Sequence, residues 1–156
     1  MAELAPGSKA PSFQLKDQAA NTVKLSDFKG RRLLVYFYPK ANTSGCTTQA
    51  CSVRDALPDL SQAGVAAVGI SPDGPSAQAK FDEKNKLGFP LLCDEDHATA
   101  SAYGAWGEKS MYGKKYEGVI RSAFLIDPKG KVAQAWYKVS PKDTVPNVMK
   151  ALEEAE

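Results

Sequence analysis

Three cysteines occur in the 156-residue sequence, and two of them, Cys46 and Cys51, stand five positions apart. An odd number does not suit a disulfide framework, and a chain of this length buries a core without covalent staples. In a reducing compartment such a pair points to catalysis or metal binding instead. Cys46 lies where an apolar run, Leu33 to Tyr38, stops at Pro39 and gives way to a loop and then a helical stretch, Tyr38-Pro-Lys-Ala-Asn-Thr-Ser-Gly-Cys-Thr-Thr-Gln. Folds of the α/β class place their sites at such junctions. A cysteine in the first turn of a helix faces unpaired backbone N–H groups and the positive end of the helix dipole, which together stabilise a thiolate. Cys46 is therefore a candidate nucleophile. Cys51 and Cys93 lack that context, and each read alone is a small buried hydrophobe.

The elements that must position Cys46 follow from periodicity. Leu33 to Tyr38 reads as a strand buried on both faces, at the sheet centre, and Val65 to Ile70 as a second. Between them a helix is expected from Cys46 to Arg54, with Pro58 either kinking it or opening a second short helix that ends near Gly64. A polar helix over Ser76 to Lys86, a third strand over Phe89 to Cys93 and a short helix over Ala98 to Tyr103 come next. Gly107 to Gly118, rich in glycine and lysine, reads as a loop. Val119 to Ile126 and Val132 to Tyr137 are strands joined by the turn Asp127-Pro-Lys-Gly130. Val145, Val148, Met149 and Leu152 form the apolar stripe of a closing helix. At the start, Met1 to Pro11 reads as an arm ordered from about Phe13, followed by a hairpin around the polar turn Asp17 to Asn21 with a strand at Thr22 to Leu25. The whole is one α/β domain, residues 1–156, with a mixed central sheet, flanking helices and an N-terminal β-hairpin.

Charge and composition exclude several function classes. Twenty basic and eighteen acidic residues are interleaved, for a net charge of +2, so no polyanion-binding stripe exists and nucleic acid is not an expected partner. No apolar stretch is long enough to span a bilayer, and no basic segment followed by an apolar run opens the chain; a soluble, cytoplasmic protein is expected. Cys93, Asp94, Asp96 and His97 are all possible metal ligands, but their spacing fits no zinc pattern, and a solvated acidic loop leading into a helix accounts for them better. No metal and no cofactor are expected. Lys109, Lys114 and Lys115 read as solvated surface, and Trp106 as packing beside glycines or as a wall of the site.

Pro-x-x-x-Thr-x-x-Cys after a strand, here Pro39, Thr43 and Cys46, resembles the active-site signature of the peroxiredoxins. The resemblance covers nearly the whole chain: Ala10 to Phe13, Leu25 to Gly30, Phe37 to Pro39, Asp94 to His97, Tyr103 to Gly107 and Arg121 to Asp127. A second cysteine five residues after the first is similar to the bacterioferritin comigratory protein or peroxiredoxin Q subgroup. The resemblance implies a thioredoxin-like fold and reduction of hydrogen peroxide and organic hydroperoxides. It implies Cys46 as the peroxidatic cysteine, Cys51 as the resolving one in an intramolecular disulfide, and thioredoxin as the reductant. Thr43, Gly45, Cys46 and Arg121 would bind the peroxide, with Pro39 as a shield. Two positions depart from the subgroup's habit: Ser44 stands where proline is common, and Gln49 where some members carry an acid.

These implied roles meet a geometric condition. Two helical residues five apart have Cα atoms separated by about 8.6 Å on different faces, beyond the roughly 7 Å that a disulfide spans. The helix must unwind for Cys46 and Cys51 to join. A resolving cysteine in the same helix needs no second subunit, so a monomer suffices. Cys93 is a minor alternative resolver. Two other functions remain open to the sequence: a thioredoxin-like disulfide reductase, against which Cys-x4-Cys in place of Cys-x-x-Cys argues, and a non-enzymatic redox sensor that uses the thiols only as a switch.

Overall fold

In the computed structural model residues 3–154 are described, and Met1 and Ala2 of the expected arm lie outside them. The chain forms β1 (Gln14–Lys16), β2 (Thr22–Lys24), a 3-10 turn (Leu25–Phe28), β3 (Arg32–Phe37), α1 (Ser44–Gln62) and β4 (Val65–Ser71). It continues through α2 (Pro75–Asn85), β5 (Leu91–Cys93), α3 (Ala98–Ala102), β6 (Trp106–Met111) and β7 (Lys114–Val119), then β8 (Ser122–Ile126), β9 (Val132–Trp136) and α4 (Thr144–Glu154). A seven-stranded sheet has the order β2-β1-β5-β4-β3-β8-β9. β3 pairs in parallel with β4 and antiparallel with β8, so the expected mixed sheet is present with β3 near its middle. β1 and β2 form the expected hairpin.

Each face of β3 builds its own core, because successive side chains on a strand point to opposite sides. Leu34, Tyr36 and Tyr38 pack against α1, α2 and α4, through residues including Ala50, Val53, Phe81, Val148 and Leu152. The stripe read in the closing helix docks here, with Val145 and Met149 partly buried at its margin. Leu33, Val35 and Phe37 face Phe124, Tyr103 and Ala100. No long helix covers this second face; the amino-terminal arm, the 3-10 turn and the short α3 do so. Among the described residues no helix is long and apolar enough to cross a membrane.

Three expectations are corrected, and a fourth is narrowed. The segment Gly107 to Gly118 is a hairpin, β6 paired antiparallel with β7 from Trp106↔Val119 to Met111↔Lys114; its mostly polar side chains hide the strand period that burial would impose. α1 continues through Pro58 to Gln62 as one helix, so of the two alternatives no second helix opens there. The arm is tied down well before Phe13: Gly7 N donates to Val132 O at 2.7 Å and Ala10 N to Gly130 O at 2.9 Å. Finally, the strand expected from Val119 is interrupted: Val119 ends β7, and β8 begins only at Ser122.

Candidate active site

α1 begins at Ser44 with Thr43 as its cap, which places Cys46 at the third helical position, inside the first turn. The N–H groups of Ser44, Gly45 and Cys46 precede the first intrahelical bond, from Thr47 N to Thr43 O at 2.9 Å. No side chain caps this end, and the Thr43 hydroxyl points back instead, donating to Lys40 O at 2.9 Å. The helix N-terminus thus presents donors and the positive end of its dipole beside the thiol. The preceding loop is held by a residue the sequence did not single out: the Asp73 carboxylate accepts from Ala41 N at 2.7 Å and from the Ser71 hydroxyl at 2.8 Å.

Cys46 is buried, with 1% of its surface exposed, and its sulfur accepts from Arg121 Nη2 at 3.4 Å. Arg121 lies in the break before β8, where antiparallel pairing with β3 carries it to the end of the sheet from which the Cys46 loop emerges. Its other amino group, Nη1, donates to Gln49 Oε1 at 2.7 Å, and Gln49 Nε2 donates to Thr144 Oγ1 at 2.8 Å. Gln49 and Thr144 are fully buried. One guanidinium is therefore shared between the thiol and a brace that reaches the start of α4. Gly45 makes the approach possible, since a Cβ there would meet Arg121 Nη2 at 3.3 Å and Pro141 Cγ at 3.5 Å. Beside it a cleft of about 290 Å³ is lined by Ser44, Gly45, Thr48, Ser140, Pro141 and Lys142.

The structure brings Cys46 and Arg121 into contact, with Thr43 and Gly45 on the same helix end and half-buried Pro39 at the base of the loop. It does not join Cys46 to Cys51. All three cysteines are free thiols, and Cys51 is half-buried further along α1, with its sulfur 3.8 Å from Asn85 Oδ1. Arg54 pins the same stretch to α2, donating to Asn85 O at 2.7 Å. Cys93 ends β5, away from that helix. Burial, followed by the charges of Glu95, Asp17 and Asp73, pushes its thiol up to about 11.

Two readings of the surrounding residues change. Lys109 is not simply solvated: its Nζ donates to Val119 O at 2.8 Å, and burial together with the Arg121 charge holds it below the usual lysine range. Asp94 is not solvated either; buried, its carboxylate accepts from Thr99 N and Ala100 N and so caps α3. His97 stacks on Trp106, with ring centroids 3.8 Å apart. Gln49 carried the one local signal for the brace, a polar residue three positions after Cys46 on the same helix face. Thr144 and Asp73 gave none, because their partners are remote in sequence.

The profile of the AhpC/TSA family matches residues 6–135. A putative peroxiredoxin of Mycobacterium tuberculosis is 54% identical over 136 residues, 87% of each chain. Peroxiredoxin Bcp of Escherichia coli is 52% identical over 132 residues, 85% of each chain. Among solved structures, a mutant of Xanthomonas campestris peroxiredoxin Q covers 92% of both chains at a TM-score of 0.87 and 36% identity. A mutant of Xylella fastidiosa PrxQ covers 100% of both at a TM-score of 0.93 and 29% identity. The sheet and flanking helices described above are the thioredoxin-like arrangement of these proteins.

Proposed function

Because the chain belongs to the AhpC/TSA family, as a peroxiredoxin of the Bcp and Q type and so a thiol peroxidase, we propose that Cys46 is its peroxidatic nucleophile and Cys51 its resolving thiol. The observation that carries the reading is the 3.4 Å contact of Arg121 Nη2 with Cys46 Sγ at the uncapped start of α1. The Cys46 thiolate attacks the terminal, hydrogen-bearing oxygen of hydrogen peroxide or an organic hydroperoxide, which becomes the sulfenic acid oxygen. The O–O bond breaks, and the distal oxygen leaves as hydroxide or alkoxide and takes a proton from solvent. Charge moves from sulfur to the leaving oxygen, so donors fixed along that line stabilise the transition state more than the ground state. Arg121 and the N–H groups of Gly45 and Cys46 are such donors. The Thr43 hydroxyl spends its proton on Lys40 O, which leaves its lone pairs to accept from the peroxide O–H. Pro39 shields the loop, and the cleft beside Gly45 has room for an organic substituent.

Resolution follows as Cys51 attacks the Cys46 sulfenic acid, water leaves, and a disulfide forms before further peroxide oxidises the sulfur irreversibly. A dithiol reductant, thioredoxin in this proposal, returns both thiols. The cycle needs one domain of one chain, matching a cytoplasmic monomer. It requires α1 to unwind from its first turns, which breaks the Gln49 brace and withdraws Cys51 from Asn85. A disulfide reductase would lack its Cys-x-x-Cys here, and a sensor would stop after one equivalent of peroxide.

Oxidation with one equivalent of peroxide tests this reading. Cys46 and Cys51 share the tryptic peptide Ala41 to Arg54, which is expected to become two hydrogens lighter without linking to the Cys93 peptide. In the same sample, the amides of Ala50 to Arg54 lose their exchange protection. Equal protection in both redox forms would exclude the unwinding.

Arg121→Lys is expected to lower the second-order rate of peroxide attack by about 10²-fold, close to 2.7 kcal/mol, because one ammonium cannot serve Gln49 and the sulfur at fixed angles. Gln49→Ala, which keeps the guanidinium and removes its brace, costs roughly tenfold by the same reasoning on a smaller scale. Stopped-flow fluorescence of the first oxidation measures both. A wild-type rate in Arg121→Lys would take the guanidinium out of the transition state.

A further inference from the structure

A cavity on the opposite face of the sheet lies far from Cys46. It encloses about 450 Å³ beneath the face of the sheet that no long helix covers. Its floor is apolar, formed by buried Phe13, Leu33 and Ile126, with Leu25 and Phe28 on one wall. Five cations line it, Lys9, Lys24, Lys29, Arg31 and Lys129, against one carboxylate, Asp127. Asp127 is already engaged, accepting from Lys129 N and Lys131 N at 2.9 Å each. Among the described residues the ion pairs are Arg54 with Asp55 and Lys115 with Glu108, so none of the five is paired. Their local excess is larger than the net charge of +2 of the whole chain. Arg31 is set in place by stacking, with its guanidinium carbon 5.3 Å from the Phe28 ring centroid.

A volume of this size is that of a small-molecule site. Unpaired cations around an apolar floor suit a ligand with a hydrophobic body and an anionic head, since burying the body displaces water while the head stays at the charged rim. We propose that this cavity binds a carboxylate-bearing amphiphile, at a site separate from the peroxide site. Leu33 pairs with Ile126 at the cavity end of β3, and Phe37 with Ser122 at the Cys46 end, about 13 Å along the strand at 3.3 Å per residue. A ligand there contacts neither Cys46 nor Arg121, so binding is independent of peroxide turnover.

Titration of the ¹⁵N-labelled full chain with decanoate in low salt tests the proposal. The expected result is a saturable one-to-one shift of the Phe13, Leu25, Phe28 and Gly130 amides, with neutral decanol binding at least about tenfold more weakly. The doubly charge-reversed Lys29→Glu/Lys129→Glu variant loses about tenfold in affinity while its peroxide turnover stays unchanged. Both lysines are exposed, and the milder Lys29→Gln/Lys129→Gln variant, expected to lose about threefold, guards against a folding defect. Equal affinity for decanol, an affinity indifferent to the charge-reversed pair, shifts centred on Gly45 and Arg121, or no shift up to the solubility limit would each overturn the proposal.

Discussion

Replacing Cys46 with serine is expected to abolish peroxide consumption, a loss on the order of 10⁴-fold or more in kcat/KM. The substitution changes little but the reacting atom. Serine is close in size to the thiol, the side chain is buried with 1% of Cys46 exposed, and Arg121 Nη2 can still donate to a hydroxyl oxygen. The hydroxyl has no general base beside it and does not ionise near neutral pH, whereas sulfur is intrinsically nucleophilic and lies beside the Arg121 guanidinium and the helix end. Thermal unfolding close to that of the parent protein would show that chemistry, not folding, was lost. Peroxide consumption with a thioredoxin system reports the activity, and turnover within tenfold of wild type would move the nucleophile to Cys51 or Cys93.

The second large effect falls on recycling rather than on attack. Cys51→Ser is expected to reduce one equivalent of peroxide at nearly the parental rate and then stall with a dithiol reductant, so that steady-state turnover is lost. Cys46 in that variant progresses to sulfinic acid under excess peroxide, which intact-mass spectra read directly. Cys93 is a poor substitute for two physical reasons. The thiolate is the attacking species, and a thiol pushed up to about 11 is ionised in roughly one molecule in 10⁴ at neutral pH. Cys93 also sits at the end of β5, paired with β1 and β4 on the far side of β4 from β3, and no unwinding of α1 carries it toward Cys46. Undiminished thioredoxin-linked turnover in Cys51→Ser would assign resolution to Cys93 or to another chain.

The proposed resolving step requires α1 to be freed from its packing. Gln49 and Ala50 are fully buried, and Val53 packs in the core against the sheet. Releasing Cys51 breaks the Gln49 bonds to Arg121 and Thr144, each net about 1 kcal/mol and more where the guanidinium is charged. In this proposal the same bonds that aim Arg121 at the thiol hold the helix folded in the reduced protein, so a firmer brace would favour attack and a looser one resolution.

What the sequence determined by itself was local. The apolar run Leu33 to Tyr38 forms β3, Pro39 ends it, and the helix that follows opens at Ser44 with Cys46 in its first turn. Burial on both faces, the conformational lock of proline and unpaired N–H groups at a helix start all act within a few residues of one another. The candidate nucleophile was therefore legible without any partner. Tertiary structure alone decided what that nucleophile touches. Arg121 reaches Cys46 across 75 positions because β8 runs antiparallel to β3, and Gln49 meets Thr144 across 95 because α4 docks on α1. No local pattern encodes such contacts, whose geometry comes from the register of the sheet and the packing of the core. The hairpin β6–β7 escaped for the converse reason: its side chains are mostly polar, and what joins its strands is backbone pairing. Between those two limits stands Cys51, whose spacing from Cys46 is plain in the sequence, and whose helical placement means that the proposed disulfide requires the pair to move.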